Sequence, residues 1–469
     1  MTLDRDRLVR IIVAGSNDIE EWRLGDPALA AAKGYPREFE AELIDDWGIV
    51  FIDVTIDAAT GEVVCHEVNG SNAVGSDALT GESSQRAENE AQQAVRRARE
   101  LGYLAADGSF NRQVVALHGH QHWQFFRTGG EFYPRVARFA DCLADKLPGI
   151  EVGCYAAGDT LGSEMLSVVM GDIPSVSARL TFDRGTRRFL FAGRPVIFLG
   201  NPNFLPELAR TGKFDLAERN AGNPALRILH GWKLADLIHD KTRQQERFAN
   251  TGIRPLRCFA SGSVDHAVAQ TRELLQRGPV VIKPSNTSGG AGVDVVTAGM
   301  TDGQIRARFD RMLEECKAKY GDNASQMIFP LSGFEFVRST GYRMDDGEHL
   351  WDLRIAVQFE PGRACAYPVS LRLTPEAFDA ATFADNRRQW ISNVSGRRET
   401  LLKSGMDQAV LDEVGFADEL MDKALRACVQ WTQKAWDAAS RDGGKSGAVY
   451  EDYCEEPDEP FYHSERFTQ

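Results

Sequence analysis

The sequence predicts an α+β protein of several domains, one of which is an α/β unit with a parallel sheet. Its 469 residues exceed what one ordinary hydrophobic core accommodates, so two or three domains are expected. Residues 47–69 alternate in the manner of a hairpin, and residues 351–373 are rich in strand-forming residues. Residues 113–147 instead predict a strand, a loop and a helix, which is the repeating unit of a parallel sheet.

The first elements along the chain are a hairpin and a helix. WGIVFIDVTID predicts one strand, AATGE the turn and VVCHEVN the returning strand. Residues 83–102 follow as a polar-faced helix that ends at a glycine. The parallel-sheet unit then extends to about residue 235, with RPVIFLGNP as a further buried strand.

The second half of the chain mixes helices with strands. The predicted elements are a helix with an extended exit (236–260), a hairpin with a glycine-rich turn (280–296), a charged helix (301–320), strands (327–337 and 351–373) and a helix (416–440). The glycine before Ile253 is predicted to end the first of these helices, and Pro255 keeps the chain extended after it.

Composition and charge exclude several classes of protein. A net charge of −14 argues against a nucleic-acid or anionic-membrane binder. No apolar run approaches the roughly 20 residues that span a bilayer, and the first residues lack the apolar core of a signal peptide. The eight cysteines include no C-x-x-C pair, which argues against a zinc site or a disulfide framework. A reduced, cytoplasmic setting is therefore expected.

Three histidines in HGHQHW, namely His118, His120 and His122, stand directly after a predicted strand. Alternate positions on a strand would share a face and suit zinc. The glycine within the segment favours a loop, and loops after such strands line ligand clefts. The sequence therefore favours a loop beside the substrate over a metal site.

The hairpin at 280–296 is the strongest chemical signal. A β-branched strand ends in Lys283, the small-residue loop from Ser285 to Gly292 follows, and a second β-branched strand begins at Val293. Glycines allow successive backbone N–H groups to approach an anion, and a lysine adds a compact positive charge. The pattern predicts nucleotide phosphates held by the loop, with Ser288, Gly289 and Gly290 as contacts, and it lacks the order of a P-loop.

Motifs on both sides of this loop resemble those of the ATP-grasp superfamily in order and spacing. HDKTRQQERFANTGIRP resembles its entry helix with an Asp-Lys pair, and VVIKPSNTSGGAGV resembles its second lysine and phosphate loop. DLRIAV, the later Arg372 and NVSGR resemble its D-x-R strand, second arginine and Asn-x-Ser-Gly stretch. The match covers roughly residues 230–400 and, separately, residues 47–76.

The resemblance implies an ATP-grasp fold, in which two α+β subdomains clamp ATP, here with a preceding α/β parallel-sheet domain. It implies Lys241 and Lys283 as ATP contacts, and Glu335 of the hinge strand as a contact to the ribose hydroxyls. The implied domains are a permuted N-terminal segment (1–105), an α/β substrate domain (106–235), an ATP-grasp subdomain with the phosphate loop (236–325) and a C-terminal ATP-grasp subdomain (326–469).

A metal site is predicted in the N-terminal hairpin. The superfamily holds Mg²⁺ on the ATP phosphates with carboxylates and an E-x-N pattern, which is absent after NVSGR. The hairpin offers Asp53, Glu67 and Asn69, and the i, i+2 spacing places the last two on one face. Two carboxylates and an amide oxygen suit Mg²⁺. For Asp57 and Glu62 of the same hairpin, solvated surface acids are the expected reading.

This position of the E-x-N predicts a circular permutation, in which the hairpin folds back onto residues 350–440. Eukaryotic-type glutathione synthetases are similar in this respect, although the loop here lacks their glycines followed by asparagines, so glutathione synthesis is not implied. In such a permuted ligase the segment after the E-x-N faces the acceptor substrate, which nominates Ser71, Asn72 and Ser76.

Two arginines complete the predicted site. Arg354 and Arg372 each interrupt an apolar strand, which disfavours a merely solvated charge. They are expected to hold the γ-phosphate and the acyl phosphate opposite the two lysines, because phosphoryl transfer depends on positioning and charge neutralisation. Asn393 is a further candidate contact to Mg²⁺ or phosphate.

Two functions stay open. The first is an ATP- and Mg²⁺-dependent ligase that joins small-molecule carboxylate and amine substrates through an acyl phosphate. The second is an ATP-grasp-like phosphotransferase or nucleotide-binding protein that makes no amide. No nucleic acid or membrane partner is expected. A homo-oligomer and a carrier-protein substrate are both left open, although the net charge of −14 disfavours an acidic carrier.

Overall fold

The computed structural model describes residues 34–70, 83–120, 134–201, 240–285, 292–320, 329–392, 401–404 and 408–441, with parts of 202–239. Within them the protein is mixed α+β with several sheets. The strands are β1 (Arg37–Ala41), β2 (Gly48–Ile56), β3 (Val63–Asn69), β4 (Val114–His120), β5 (Val152–Ala156), β6 (Leu166–Asp172), β7 (Leu180–Asp183), β8 (Arg188–Phe191), β9 (Arg194–Leu199), β10 (Cys258–Ser261), β11 (Val280–Pro284), β12 (Asp294–Val296), β13 (Leu331–Glu335), β14 (Tyr342–Met344), β15 (Gly347–His349), β16 (Trp351–Glu360), β17 (Gly362–Leu373) and β18 (Leu401–Ser404). The helices are α1 (Ser83–Glu100), α2 (Pro134–Lys146), α3 (Ile173–Arg179), α4 (Lys241–Glu246), α5 (Val264–Leu275), α6 (Asp302–Tyr320), α7 (Gln408–Glu413) and α8 (Asp418–Arg441).

Sheet A joins distant parts of the chain. Its order is β1-β17-β16-β2-β3, with β18 beside β17. The predicted N-terminal hairpin is confirmed as β2 and β3, and β2 is also hydrogen-bonded along its length to β16. Helix α8 packs against this sheet through the fully buried Trp431 and Trp436. The hairpin is therefore part of a sheet that the C-terminal half also builds, with β2 inside the sheet and β3 at its edge.

Sheet B carries the predicted phosphate hairpin. Its order is β10-β13-β11-β12, and β11 pairs antiparallel with β12, which confirms the strand–turn–strand prediction at its two strands. Helices α5 and α6 bury Phe259, Ile282 and Phe309 in the core of this layer. The loop between the strands, residues 286–291, lies outside the described residues.

Sheet C is the predicted parallel unit. Strands β5, β6, β4 and β9 are parallel neighbours, and β8 and β7 extend the sheet in antiparallel fashion. Helices α1 and α2 cover one face and α3 the other, so both faces are apolar. Asn89 of α1 donates to Gln358 of sheet A at 2.8 Å, which joins the two layers.

Two predictions of secondary structure are wrong. The loop expected at His118 and His120 is strand, because β4 continues through His120 in register with β6. The helix expected from 236 toward Gly252 is the short α4, whose residues end at Glu246. Turns with i→i+3 bonds follow, and Asn250 and Gly252 both have positive φ. Within the described residues, no helix is both long and apolar enough to cross a membrane.

Candidate active site

One face of sheet A carries a row of charged side chains that strand pairing sets side by side. On β2, Asp53 stands opposite Glu67 of β3 and opposite Arg354 of β16. Two residues before Arg354 on β16, Asp352 stands opposite Arg372 of β17. Opposite charges on neighbouring strands lie within reach of one another, so the sequence alternation of these strands builds the row.

Two bulges occur at this row. The pairing of β2 with β3 passes from Asp53↔Glu67 to Val54↔Cys65, which leaves His66 as an extra residue. The pairing of β16 with β17 also shifts after Arg354. Bulges re-aim side chains and are frequent beside active sites. The shift at His66 explains how His66 and Glu67 both reach the same cleft.

Asp53 is the centre of the row and is fully buried. Its Oδ1 accepts from Arg354 Nε at 2.8 Å, and its Oδ2 accepts from Arg354 Nη2 at 2.9 Å. Oδ2 also contacts Arg372 Nη2 at 2.8 Å and Asn69 Nδ2 at 2.9 Å. Burial opposes ionisation, but Arg354 and then Arg372 outweigh it and hold the pKa of Asp53 below its usual value.

Arg372 is held by two carboxylates. Its Nη2 reaches Asp53, and its Nε donates to Asp352 Oδ1. The other oxygen of Asp352 accepts from the Ser392 hydroxyl. Although burial opposes the charged guanidinium, Asp352 and Asp53 hold the pKa of Arg372 above its usual range. Burial raises the pKa of Asp352 to about 6, against the opposing effect of Arg372.

Two lysines meet this row from the side of sheet B. Lys283 of β11 lies with Nζ 3.8 Å from Glu67 Oε2 and 4.5 Å from the Phe334 ring centroid. Lys241 is the first residue of α4, whose N-terminus the Asp240 side chain caps. The Lys241 backbone N–H donates to the Ser285 carbonyl at 3.0 Å. Lys241 is thereby fixed to the first residue of the glycine-rich loop.

The side chains of the two sheets enclose a cleft of about 190 Å³. Its polar wall includes Asp53, His66, Glu67, Lys241, Lys283, Asp352, Arg372 and Ser392, and its apolar wall includes Leu256, Val281, Phe334, Trp351 and Trp390. Burial acts to raise the pKa of Glu67, but Lys241 and Lys283 outweigh it and hold this pKa below its usual value. Burial and Lys283 lower the pKa of His66 to about 4, so this imidazole is uncharged at neutral pH.

The structure brings six of the predicted site residues to this cleft. They are Asp53, Glu67, Lys241, Lys283, Glu335 and Arg372. Arg354 and Asn69 contact Asp53 but are not among the residues that line the cleft. The remaining loop and substrate candidates, together with the His120 side chain, lie outside the described residues: Ser71, Asn72, Ser76, Ser288, Gly289, Gly290 and Asn393.

His118 does not line the cleft. It is 2% exposed and packs edge-on against Phe139, with ring centroids 4.6 Å apart, and at 5.2 Å from Phe198. The structure therefore places His118 in the core between sheet C and α2.

Glu335, the predicted ribose contact, reaches the cleft while bound to another residue. Its Oε1 accepts from the Arg254 guanidinium and, at 3.1 Å, from the Arg257 backbone N–H. Arg254 also contacts Asp57 at 2.9 Å and Glu62 at 3.3 Å, the two hairpin residues expected to be solvated acids. Asp57 is in fact buried, so that expectation is wrong for Asp57.

Sequence reasoning missed Asp352, His66 and Ser392. Asp352 could have been found, because it precedes Arg354 by two positions and a strand places such residues on one face. His66 reaches the cleft because of the bulge between β2 and β3, and no local sequence pattern predicts that bulge. Ser392 directly precedes the NVSGR stretch and lies too far from any strand for its partner to be read from spacing.

The oxygen donors of the hairpin suit a hard cation such as Mg²⁺, but unequally. Oδ2 of Asp53 accepts three N–H donors, whereas Oδ1 accepts one. Glu67, which faces Lys283 at 3.8 Å, has more open capacity. Among the described residues, no three His, Cys, Asp or Glu side chains converge tightly enough to form a metal site by themselves. The donor set fits Mg²⁺ that is held largely by water and phosphate oxygens.

The comparisons with known proteins find similarity among solved structures. No protein-family model matches the sequence, and no curated protein matches it. Among solved structures, a glutathione synthetase-like effector from Globodera pallida in its apo form is similar with a TM-score of 0.36 and 12% identity. The similarity covers 78% of this chain and 82% of that one.

Proposed function

We propose that this protein is an ATP-dependent ligase of the ATP-grasp type, circularly permuted, that joins a carboxylate to an amine. The observation that carries the proposal is one cleft in which Lys241 and Lys283 meet Glu67 and Arg372. Two lysines flank Glu67 there, and Nη1 of Arg372 has no partner among the described residues. The cleft wall carries four carboxylates against these three cations, so a polyphosphate would bind together with Mg²⁺, whose charge offsets the carboxylates.

The chemistry follows from the charges. A substrate carboxylate oxygen would attack the γ-phosphorus of ATP, and the bond from that phosphorus to the bridging oxygen would break, which releases ADP. The amine would then attack the carbonyl carbon of the acyl phosphate, and phosphate would leave with a proton from the amine. Lys283 and Arg372 would hold the phosphoryl oxygens from opposite sides through both steps.

Asp53, Glu67 and Asn69 would hold Mg²⁺, which would supply further neutralisation of phosphate charge. Glu67 is the residue best placed for this, since Lys241 and Lys283 keep its carboxyl ionised. The apolar wall with Val281 and Phe334 would receive the adenine base. We also propose that the protein uses ATP and Mg²⁺, acts on small-molecule carboxylate and amine substrates, and is located in the cytoplasm.

Acceptor-dependent ADP release tests the proposal. Purified protein with ATP and Mg²⁺ is screened against a panel of amino acids and small peptides, with hydroxylamine as a trapping amine. We expect ADP release that requires an acceptor, and a hydroxamate product. Lys283→Met should abolish both, whereas Lys317→Met on the exposed face of α6 should retain them. ATP binding without acceptor-dependent ADP release across the panel would rule out the ligase.

The metal assignment has its own test. Glu67→Gln and Asn69→Ala are expected to abolish Mg²⁺-dependent turnover while the protein stays folded. Wild-type rates in both variants would remove the hairpin from the catalytic machinery.

A second candidate is a nucleotide-binding protein or phosphotransferase that makes no amide. The saturation of Asp53 Oδ2 by three N–H donors favours a nucleotide-binding protein, because fewer oxygens then remain for the cation that phosphoryl transfer requires. The same screen separates the two functions, since this candidate binds ATP but forms no hydroxamate.

A further inference from the structure

Asp352 is a buried carboxylate of the cleft that neither the metal site nor ATP binding uses. Its side chain is 11% exposed and lines the cleft on the same strand as Arg354. Strand register places it opposite Arg372, and Arg372 Nε donates to its Oδ1. Its other oxygen accepts from Ser392. Both oxygens of Asp352 therefore have fixed partners, and one of these partners is the arginine assigned to phosphoryl transfer.

The orientation of Arg372 depends on two carboxylates at once. Asp53 Oδ2 contacts Nη2 at 2.8 Å, and Asp352 Oδ1 accepts from the neighbouring Nε. Among the described residues, no side chain or carbonyl pairs with Nη1 of Arg372. A planar guanidinium that is held at two of its three nitrogens can turn only if one of these contacts breaks. The group that stays available to the cleft is then Nη1.

Arg354 differs from Arg372 in this respect. It donates to both carboxylate oxygens of Asp53 through Nε and Nη2, in the bidentate side-on geometry. Arg354 does not line the cleft. Arg354 therefore fixes the position of Asp53. Asp53 and Asp352 together fix the position of Arg372, which lines the cleft. These contacts connect the core of sheet A to the cleft.

On this basis, which rests on the proposed function, we propose that Asp352 is a positioning residue for phosphoryl transfer. It holds Arg372 so that Nη1 meets the transferring phosphoryl group. Asp352 acts through Arg372 and touches neither the nucleotide nor the acceptor. Ser392 supports the same arrangement by fixing the second oxygen of Asp352.

The test compares Asp352→Asn with wild type, Arg372→Lys and the double variant, with the exposed Asp310→Asn of α6 as a matched control. Because Arg372 acts on the transferring group, we expect Asp352→Asn to lower kcat about tenfold while KM for ATP changes less than about twofold. In the Arg372→Lys background, the second substitution is expected to add less than about a twofold loss. Asp310→Asn should behave as wild type.

A second measurement does not depend on turnover. Crystal structures of wild type and Asp352→Asn are compared at the Arg372 guanidinium, which is expected to leave its position beside Asp53 in the variant. An unchanged guanidinium, or kinetic losses that multiply independently in the double variant, would overturn the inference. A wild-type protein without turnover counts against the proposed function alone, since the orientation of Arg372 is still decided by the crystal structures.

Discussion

Sheet A and sheet C both carry polar side chains in the middle of apolar strands, and the outcomes differ. In sheet A, Asp53 and Arg372 form part of a cleft wall, whereas in sheet C His118 is enclosed by Phe139 and Phe198. A full charge cannot be buried without a counter-charge, so one charged residue in a strand requires others nearby. An imidazole can be buried in its uncharged form as an aromatic ring. Interruption of a strand by a full charge is therefore the stronger sign of a site.

The largest expected effect is a loss of turnover when a cationic residue of the cleft wall is removed. Arg372→Ala should lower turnover by about 10³-fold or more, because the phosphoryl group loses its main guanidinium contact. Arg363→Ala is the matched control, since Arg363 lies on the same strand but 61% of its side chain is exposed. Steady-state ADP release decides the point. Similar rates of ADP release for the two variants would mean that the row of charges matters no more for turnover than the rest of sheet A.

A large effect on stability is expected behind the cleft. Arg354→Met leaves Asp53 buried with one guanidinium fewer, so the free energy of unfolding should fall by about 3–5 kcal/mol. Arg363→Met, at an exposed pair with Glu38, should cost less than about 1 kcal/mol. Urea unfolding measures both. Equal stabilities would mean that the buried ion pairs of sheet A contribute no more than surface pairs.

A smaller effect on stability concerns a half-buried acid, Glu246, outside the row of charges. Burial raises the pKa of Glu246 to about 7, above the usual value near 4.5, and Arg247 and Arg243 only partly oppose this. The folded state therefore binds the proton more tightly, and this group lowers stability as pH rises from about 4.5 to 7. Glu246→Gln should raise the free energy of unfolding at pH 8 by on the order of 2 kcal/mol and change it little at pH 4.5. Denaturant unfolding at the two pH values checks the sign.

The smallest effect is expected in sheet C. His118→Phe keeps an aromatic ring between Phe139 and Phe198, so turnover should stay within about twofold of wild type and stability within about 1 kcal/mol. Loss of turnover in a variant that stays stable would mean that His118 contacts the substrate after all. The contrast between sheet A and sheet C would then fail.

The sequence predicted the hairpins β2–β3 and β11–β12 and the helices α1, α2, α6 and α8, because these depend on local periodicity, whereas α3, α5 and α7 were not predicted. The two lysines and Glu67 were predicted from motifs that resemble those of a known superfamily, and Arg372 also from its place within an apolar strand; the structure brings all four to one cleft. The sequence could not predict that Arg354 faces Asp53 and not the cleft, since that follows from a register between strands 301 positions apart. The bulge at His66 and the contact of Ser392 with Asp352 depend likewise on neighbours that local spacing does not reveal.

The pairing of β2 with β16 also sets the order in which the chain can fold during synthesis. Asp53 meets Arg354 only after 301 further residues have been made. At about 5–20 residues per second, the nascent hairpin waits roughly 15–60 s for its partner strand. Every residue of β2 is buried in the finished sheet, so the edge of β2 that β16 later covers stays unpaired during that interval. Sheet C, whose strands lie within residues 114–199, has no such delay and can fold first.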